Sequence, residues 1–488
     1  MISVFLQEQK RYKKGDLSDK FKSSEKEKKE CGCFDCLLKK LEKHNVLKKV
    51  KQNDKQKDLT DLQAEDIETA DDEAEKNKYY YVFIFVGVII IGEYTLMCYP
   101  KYLFGADEPM KEMKQIFRVL EKYKNSKKED LLAYDNTDDS SSFNKISVML
   151  FLLRDYFENG VYIVHRDIIE TNGSGEILWD KTINETFAIV SNNRPYYPEL
   201  LTKKRMNDEL DYFRRLHECI LSECSATLEN FGLLGMLGLP PVKLSEESMV
   251  DFGEIDYILN RIRKEIHVQF NTRKQNVLKA LYAYMVNKNS VDDPEFCTYG
   301  TNSFNLVWEA VCAEVLGNRL DTELDKLPHV IAEKYKNGNK QSKKLIDLID
   351  TPQWNGIHAD QTLTPDIISI EEVDGKCHFI IFDAKYYNVQ FVDNKYPVGL
   401  PGIDSITKQY LYELAYRNFI DDHDIKVVKN CFLFPTAEEK VIDGKAVSLD
   451  MLKKLNLQDI QVRLLPAEEM YKHYINGTKK TISELMLD

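Results

Sequence analysis

Two apolar, β-patterned runs in the C-terminal part of the chain end on charge. The first reads Pro365-Asp366-Ile-Ile-Ser-Ile, an acidic break containing Asp374-Gly375 follows, and the second reads Phe379-Ile-Ile-Phe-Asp383-Ala-Lys385-Tyr-Tyr. Asp-Gly suits a two-residue hairpin turn, so the pattern predicts two antiparallel strands. Side chains alternate along a strand. Asp383 and Lys385 then share one face, with Phe382 and Ala384 on the other, and Asp366 opens the first strand with Ile368 and Ile370 on its own face. A hairpin of this kind brings two carboxylates and one ammonium to one edge of an apolar sheet.

The chain has 488 residues, of which 43% are hydrophobic and 11% aromatic. That is enough for two to four domains with cores of their own. Its ten cysteines are scattered without a regular framework, and no secretory apolar segment opens the sequence, so a reducing cytoplasm is the expected setting. The apolar run from Tyr79 to Gly92 is too short for a membrane span, which needs about 20 residues, and Glu93 interrupts it. It is read as a buried strand followed by a second strand, Tyr94 to Tyr99. A formal net charge of −13 excludes whole-surface attraction to nucleic acid, so any such contact needs local basic patches or a partner.

The expected fold class is a multidomain mixture of α+β and α/β, partitioned at residues 1–76, 77–290 and 291–488. Lysines dominate to about Asp58, and 61–75 turn acidic, which marks a linker. Phe34, Leu37, Leu38 and Leu41 recur at helical spacing before Val46-Leu47-Lys-Lys-Val50. This fits either a small winged-helix module or a lysine-rich helical arm. Cys31, Cys33 and Cys36 fall one ligand short of a closed zinc site. In the middle part a β-hairpin leads to a helix around Met110–Tyr123, an apolar helix spans Ile146 to Phe157, and helices are expected over Met206–Cys224, Gly253–Val268, Lys274–Val286 and Ser303–Leu316. No G-x-x-x-x-G-K-[ST] phosphate loop is present.

The chemistry of the predicted hairpin is complementary. Magnesium prefers hard oxygen ligands and keeps several waters, so Asp366, Asp383 and the Ala384 carbonyl would hold Mg²⁺, or Mn²⁺ in its place, with positions left for a phosphate oxygen and a water. Lys385, a compact cation, would orient that water or stabilise developing charge. Upstream, Glu309 beside Trp308 on an apolar helix could complete the metal shell. Downstream, Gln409 on the helix beginning Lys408-Gln409 could hydrogen-bond the carboxylates, or simply face solvent. The D-x-K triplet alone is unspecific in a lysine-rich chain, and its context carries the argument.

The order Trp308-Glu309, Pro365-Asp366, Asp383-Ala-Lys385, Lys408-Gln409 resembles the PD-(D/E)xK nuclease superfamily. Val82-Phe-Ile-Phe-Val86-Gly87, Pro100-Lys101-Tyr102, Asn159-Gly160-Val-Tyr162, Gly173-Ser-Gly175-Glu176-Ile-Leu-Trp179-Asp-Lys181 and Phe382-Asp383-Ala-Lys385-Tyr-Tyr387 narrow the likeness. They resemble LlaJI-type restriction endonucleases, related to the McrC nuclease subunit of McrBC systems. The resemblance implies a C-terminal nuclease core with a mixed central sheet, preceded by the hairpin and helical region. It also implies a Mg²⁺-dependent DNA endonuclease cutting double-stranded DNA, with a McrB-like AAA+ NTPase as partner and methyltransferases protecting the host. Catalytic roles are carried over to Glu309, Asp366, Asp383 and Lys385, with Gln409 in a supporting role. Where relatives carry Q-x-x-x-Y, this chain has Glu413, with Tyr412 one place earlier. By the same analogy Trp179 and Lys181 are contact residues, against a core position for the tryptophan. The competing functions are a RecB-like repair exonuclease and a noncatalytic adaptor that activates an NTPase.

Overall fold

The computed structural model describes residues 2–21, 34–51, 79–106, 108–126, 145–163, 165–207, 211–289, 296–335, 343–373, 376–389, 399–447 and 457–487. Cys31, Cys33, the acidic linker and the Asp374-Gly375 turn lie outside the described residues. The chain forms two compact units, Met1–Glu129 with Tyr299–Asp488, and Asp130–Thr298. Among the described residues no helix is long and apolar enough to cross a membrane.

The first unit opens with β1 (Ile2–Gln7), β2 (Arg11–Tyr12), α1 (Lys14–Phe21), α2 (Phe34–Lys43), β3 (Leu47–Lys51), β4 (Tyr79–Phe83), β5 (Val86–Ile91), β6 (Tyr94–Tyr99) and α3 (Met110–Ser126). The boundary expected at residue 76 is not where the structure divides. β1 runs parallel to β6 and β3 pairs with β4, so residues on both sides of that boundary share sheets. The expected order of helix then strand is present as α2 and β3, with Leu37, Leu38 and Leu41 buried. The apolar run after Tyr79 is two strands rather than one. β4 joins the β2-β4-β3 sheet and β5 joins β1-β6-β5-β12, where β12 is Phe296–Thr301.

Glycine makes the approach of β5 to β12 feasible. A Cβ on Gly300 would lie 2.1 Å from the Val86 carbonyl oxygen, and one on Gly87, whose φ is +140°, would lie 2.2 Å from the Tyr299 oxygen. Any other residue forces the backbones apart.

The second unit contains α4 (Lys145–Asn159), β7 (His165–Thr171), β8 (Glu176–Ile177), α5 (Trp179–Glu185), β9 (Ile189–Ser191), β10 (Arg194–Tyr196), β11 (Leu201–Asn207), α6 (Tyr212–Asn230), α7 (Leu233–Leu237), α8 (Ile255–Val268) and α9 (Thr272–Asn289). The helix expected from Met206 starts only at Tyr212. Residues up to Asn207 pair with β7, and the Asp211 side chain caps α6 by accepting from the Arg214 amide at 3.1 Å. Arg273 ties the start of α9 to the end of α4 through Asp155 at 2.7 Å and the Gly160 carbonyl at 2.8 Å.

The first unit resumes after β12 with α10 (Phe304–Val315), α11 (His329–Ala332), β13 (Gln353–Trp354), β14 (Ile357–His358), β15 (Ile367–Val373), β16 (Lys376–Ala384), α12 (Ile403–Ala415), α13 (Arg417–Asp422), β17 (Val427–Thr436), β18 (Ile442–Val447), β19 (Ile460–Pro466) and α14 (Ala467–Asn476). Its larger sheet has the order β15-β16-β17-β19-β18. β15 and β16 are antiparallel, β16 to β17 and β17 to β19 are parallel. The parallel step from β16 to β17 needs a crossover, which α12 and α13 supply. Alternation puts Ile368, Ile370, Phe379 and Ile381 in one cluster with Tyr412, Tyr416 and Phe419 of that crossover. The mixed sheet predicted for this part is therefore present, with its apolar stripe running toward Asp366 and Asp383.

Gly300→Ala is expected to destabilise the protein by about 1–3 kcal/mol, the usual range for a forced overpacking. Gly15→Ala, where a Cβ meets nothing within 4 Å, should instead be neutral or stabilising by up to about 1 kcal/mol. Urea unfolding of both variants checks the contrast, and equal effects would discount the close approach.

Candidate active site

Ile367 faces Phe382 in the β15–β16 register. One step outward, Asp366 therefore stands opposite Asp383, the juxtaposition the sequence pattern predicts. Asp366 Oδ2 accepts a hydrogen bond from the Ala384 amide at 3.0 Å. Burial pushes the Asp366 carboxyl up to about 9, helped by a hydrogen bond to Asp383 and by the negative charges of Asp383 and Glu309, while Lys385 pulls the other way. Two close acids at one site disfavour ionisation of both together. Lys385 Nζ sits 3.0 Å from Asp383 Oδ1, close enough for an ion pair though not aligned as a hydrogen bond. The Asp383 side chain is 6% exposed and that of Lys385 25%, so the ammonium reaches solvent while the Asp383 carboxylate lies beneath it; Asp366 is partly buried.

Glu309 sits half-buried on α10 beside the fully buried Trp308. Its charge acts on Asp366 and, with it, on the buried Cys312 thiol, which burial drives far above its usual range. Among the described residues, however, no three His, Cys, Asp or Glu stand at metal-holding spacing. Glu309 is near enough for its charge to raise the Asp366 carboxyl, while the direct hydrogen bond of Asp366 is with Asp383.

α12 supplies the floor. Gln409 is fully buried, not solvent-facing, and its Nε2 donates to the Ile381 carbonyl at 3.3 Å, two residues before Asp383. Asn430 Nδ2 donates to the Gln409 carbonyl at 3.1 Å. Glu413 accepts from the Gln458 amide at 3.4 and 3.3 Å through its two oxygens. Tyr412 lies near the carboxylates. Burial first, then the charges of Asp383 and Asp366, push its phenol up to about 12.

Asn318 was not singled out by the sequence pattern. Its Nδ2 donates to the Asp366 carbonyl at 3.3 Å, and its Oδ1 accepts from the Ile368 amide at 3.1 Å and the Leu320 amide at 3.0 Å. The Arg319 amide donates to the Ile368 carbonyl at 2.7 Å. Together they satisfy the outer edge of β15 where it carries Asp366. The only local signal is Gly317, in the left-handed region at φ +66°, which with Asn318 marks the end of α10. In the second unit Trp179 is 54% exposed, which removes the core reading of that tryptophan, and Lys181 is exposed as well.

A family profile described as LlaJI restriction endonuclease matches residues 85–465. The type II restriction enzyme BsuMI component YdjA of Bacillus subtilis (strain 168) is 30% identical over 415 residues, covering 82% of each chain. Two solved structures are more distant. A refined half-complex from a tetradecameric assembly of Thermococcus gammatolerans McrB AAA+ hexamers with bound McrC shares 12% identity, covers 97% of this chain and 99% of that chain, and has a TM-score of 0.36. The Thermococcus gammatolerans McrBC complex shares 13%, covers 63% and 84%, and has a TM-score of 0.26. The profile spans most of the sequence, Asp366, Asp383 and Lys385 included, and on that ground the chain belongs to the LlaJI restriction endonuclease family.

Proposed function

We propose that this chain is the DNA-cutting subunit of a restriction system, a PD-(D/E)xK-type endonuclease that hydrolyses phosphodiester bonds with Mg²⁺, for which Mn²⁺ substitutes. The observation that carries the reading is Asp366 opposite Asp383 at the sheet edge, with the Lys385 ammonium 3.0 Å beyond. The donor set fits a hard divalent cation. Asp366 and Asp383 share a hydrogen bond, and burial with the negative charges of Asp383 and Glu309 raises the Asp366 carboxyl against the pull of Lys385. Asp366, Asp383 and the Ala384 carbonyl would hold the ion, with Glu309 approaching from α10. When bound, such an ion polarises a phosphoryl oxygen and lowers the pKa of a bound water.

The chain's own residues do the remaining work. Lys385, paired with Asp383 yet open to solvent, can orient the attacking water or a phosphate oxygen and stabilise charge as it develops. Gln409 holds the β16 backbone that presents Asp383, and Asn318 holds the β15 backbone that presents Asp366. A McrB-like AAA+ NTPase is the proposed partner. Two facts support it: the sequence has no phosphate loop of its own, and the relative from Bacillus subtilis is described as a component of its enzyme. With a formal charge of −13, double-stranded DNA would be held by local basic surface or by that partner. A cytoplasmic setting and protecting methyltransferases complete the proposal.

Asp383→Ala and Lys385→Ala should each lower DNA cleavage by at least about 10²-fold while leaving the thermal unfolding midpoint near that of the parent. Retained cutting by either purified variant counts against the assignment. Cleavage of closed circular DNA separates this function from an end-dependent exonuclease, and Mn²⁺ binding lost in Asp366→Ala separates it from a scaffold.

Stability of the metal-free protein should carry the signature of the acid pair. Asp366 is raised from 3.8 to about 9 on folding, so its contribution is fully present below pH 3.8 and is lost as pH rises through about 9. Relative to Asp366→Asn, the wild type should therefore lose unfolding free energy across this window, and saturating Mn²⁺ should reverse the loss. Urea unfolding across that range tests it, and a constant difference between the two proteins would refute a buried shared proton.

A further inference from the structure

We propose that Glu8 is a positioning residue for DNA cleavage, holding the segment that carries Lys385 through the hydroxyl of Tyr386. The inference rests on the reading of Lys385 as a catalytic group. Glu8 lies outside the residues 85–465 that match the family, so the N-terminal strand would add a part to the site that the family match does not include.

Glu8 and Lys101 are each only 4% exposed. A buried charge costs several kcal/mol unless it is paired and hydrogen-bonded, and here the partners are specific. Glu8 Oε2 accepts from the Tyr386 hydroxyl at 2.5 Å and from the Lys101 amide at 3.2 Å. Lys101 Nζ donates to Gln9 Oε1 at 2.9 Å and lies 4.8 Å from the centre of the Tyr386 ring, within cation–π range. Glu8 itself is fixed, since its amide donates to the Tyr99 carbonyl at 2.8 Å.

These bonds meet the chain where strand pairing runs out. β16 ends at Ala384. The Lys385 amide still donates to the Leu433 carbonyl at 2.9 Å, and the next side chain, Tyr386, is 2% exposed and ends on Glu8. Lys385 is thus bracketed by a backbone bond on one side and a charge-assisted hydrogen bond on the other. Such bonds are shorter and stronger than neutral ones. An apolar contact would bury Tyr386 at less cost, whereas a carboxylate on its hydroxyl fixes where the backbone exits. Displacing a catalytic group by about 1 Å costs up to ~10²-fold in rate.

The test uses the full chain under the conditions in which the wild type cuts plasmid DNA with Mn²⁺. Tyr386→Phe removes a single oxygen and keeps the ring, and Glu8→Gln removes the charge and keeps an acceptor. Each is expected to lower kcat by about 10-fold or more, up to ~10²-fold, with KM for DNA and Mn²⁺ affinity by calorimetry unchanged. The double variant should be no slower than Tyr386→Phe alone, because Tyr386→Phe removes the bond that Glu8→Gln weakens. Should Glu8→Gln fail to fold, Tyr386→Phe decides the matter alone. A lower unfolding midpoint with wild-type kcat per folded molecule overturns the proposal and leaves Glu8 a stability residue. If Lys385→Ala cuts like the wild type, the reading of the site fails first. If Lys385→Ala is inactive while Tyr386→Phe cuts normally, only the role of Glu8 falls.

Discussion

Two carboxyl groups, the buried Asp383 and the partly buried Asp366, face each other across antiparallel strands, and much of the surrounding structure can be understood as what makes that contact tolerable. In an apolar sheet a like-charged pair is unstable unless a proton or a cation intervenes. The structure supplies partial relief at several points: the Ala384 amide on Asp366, the Lys385 ammonium on Asp383, and a carboxyl–carboxyl hydrogen bond. Of these, the Lys385 ammonium is the one that also reaches solvent. The chain belongs to a restriction endonuclease family, and the divalent cation proposed above would complement such a pair.

The carboxylates are held in place from the backbone rather than by side-chain packing around them. β15 lies at the end of the sheet order, and an edge strand has one side without a partner. Asn318 and Arg319 occupy that side at Ile368 and Asp366. On β16, Gln409 takes the Ile381 carbonyl in addition to the ladder. Both residues belong to segments that follow or form helices, so α10 and α12 are joined to the two strands by hydrogen bonds as well as by apolar contact. The cluster of Ile368, Ile370, Phe379 and Ile381 with Tyr412 and Tyr416 then sets how far α12 stands from the sheet.

Much of this was legible in the sequence, because alternation along a strand is a strict rule. The placement of Asp366, Asp383 and Lys385 on one face follows from parity alone, and the helix carrying Glu309 follows from its apolar period. What the pattern could not convey was non-local. The tie from Asn318 to Asp366 spans 48 positions and that from Glu8 to Tyr386 spans 378, and neither leaves a local periodic trace. The same limit explains the domain boundary. The change from basic to acidic composition before Tyr79 looked like a separator, yet β1 pairs with β6, and strand pairing at such a distance is invisible to a window of composition. Met206 was drawn into a helix because the apolar period of α6 extends backward into β11, where pairing with β7 prevails over propensity. Glu413, at the position where relatives carry tyrosine, is held by the Gln458 amide, while Tyr412, one place earlier, is the aromatic residue under the influence of the two acids.

The exposure gradient across the three site residues gives the arrangement a direction. Asp383 is nearly sealed, Lys385 is a quarter open, and Tyr386, the next residue, is sealed again. A lysine left flexible at the mouth of such a site would lose its advantage, since a four-carbon stem samples many positions. Fixing the residues on either side of it confines the stem without burying the ammonium, so the charge remains available to a phosphate while its origin is held. Ala384 on β16 provides one constraint and Tyr386, anchored on Glu8 just after β1, provides the other. The amino-terminal segment therefore reaches a point one residue from the Lys385 ammonium, 378 positions separating Glu8 from Tyr386 along the chain.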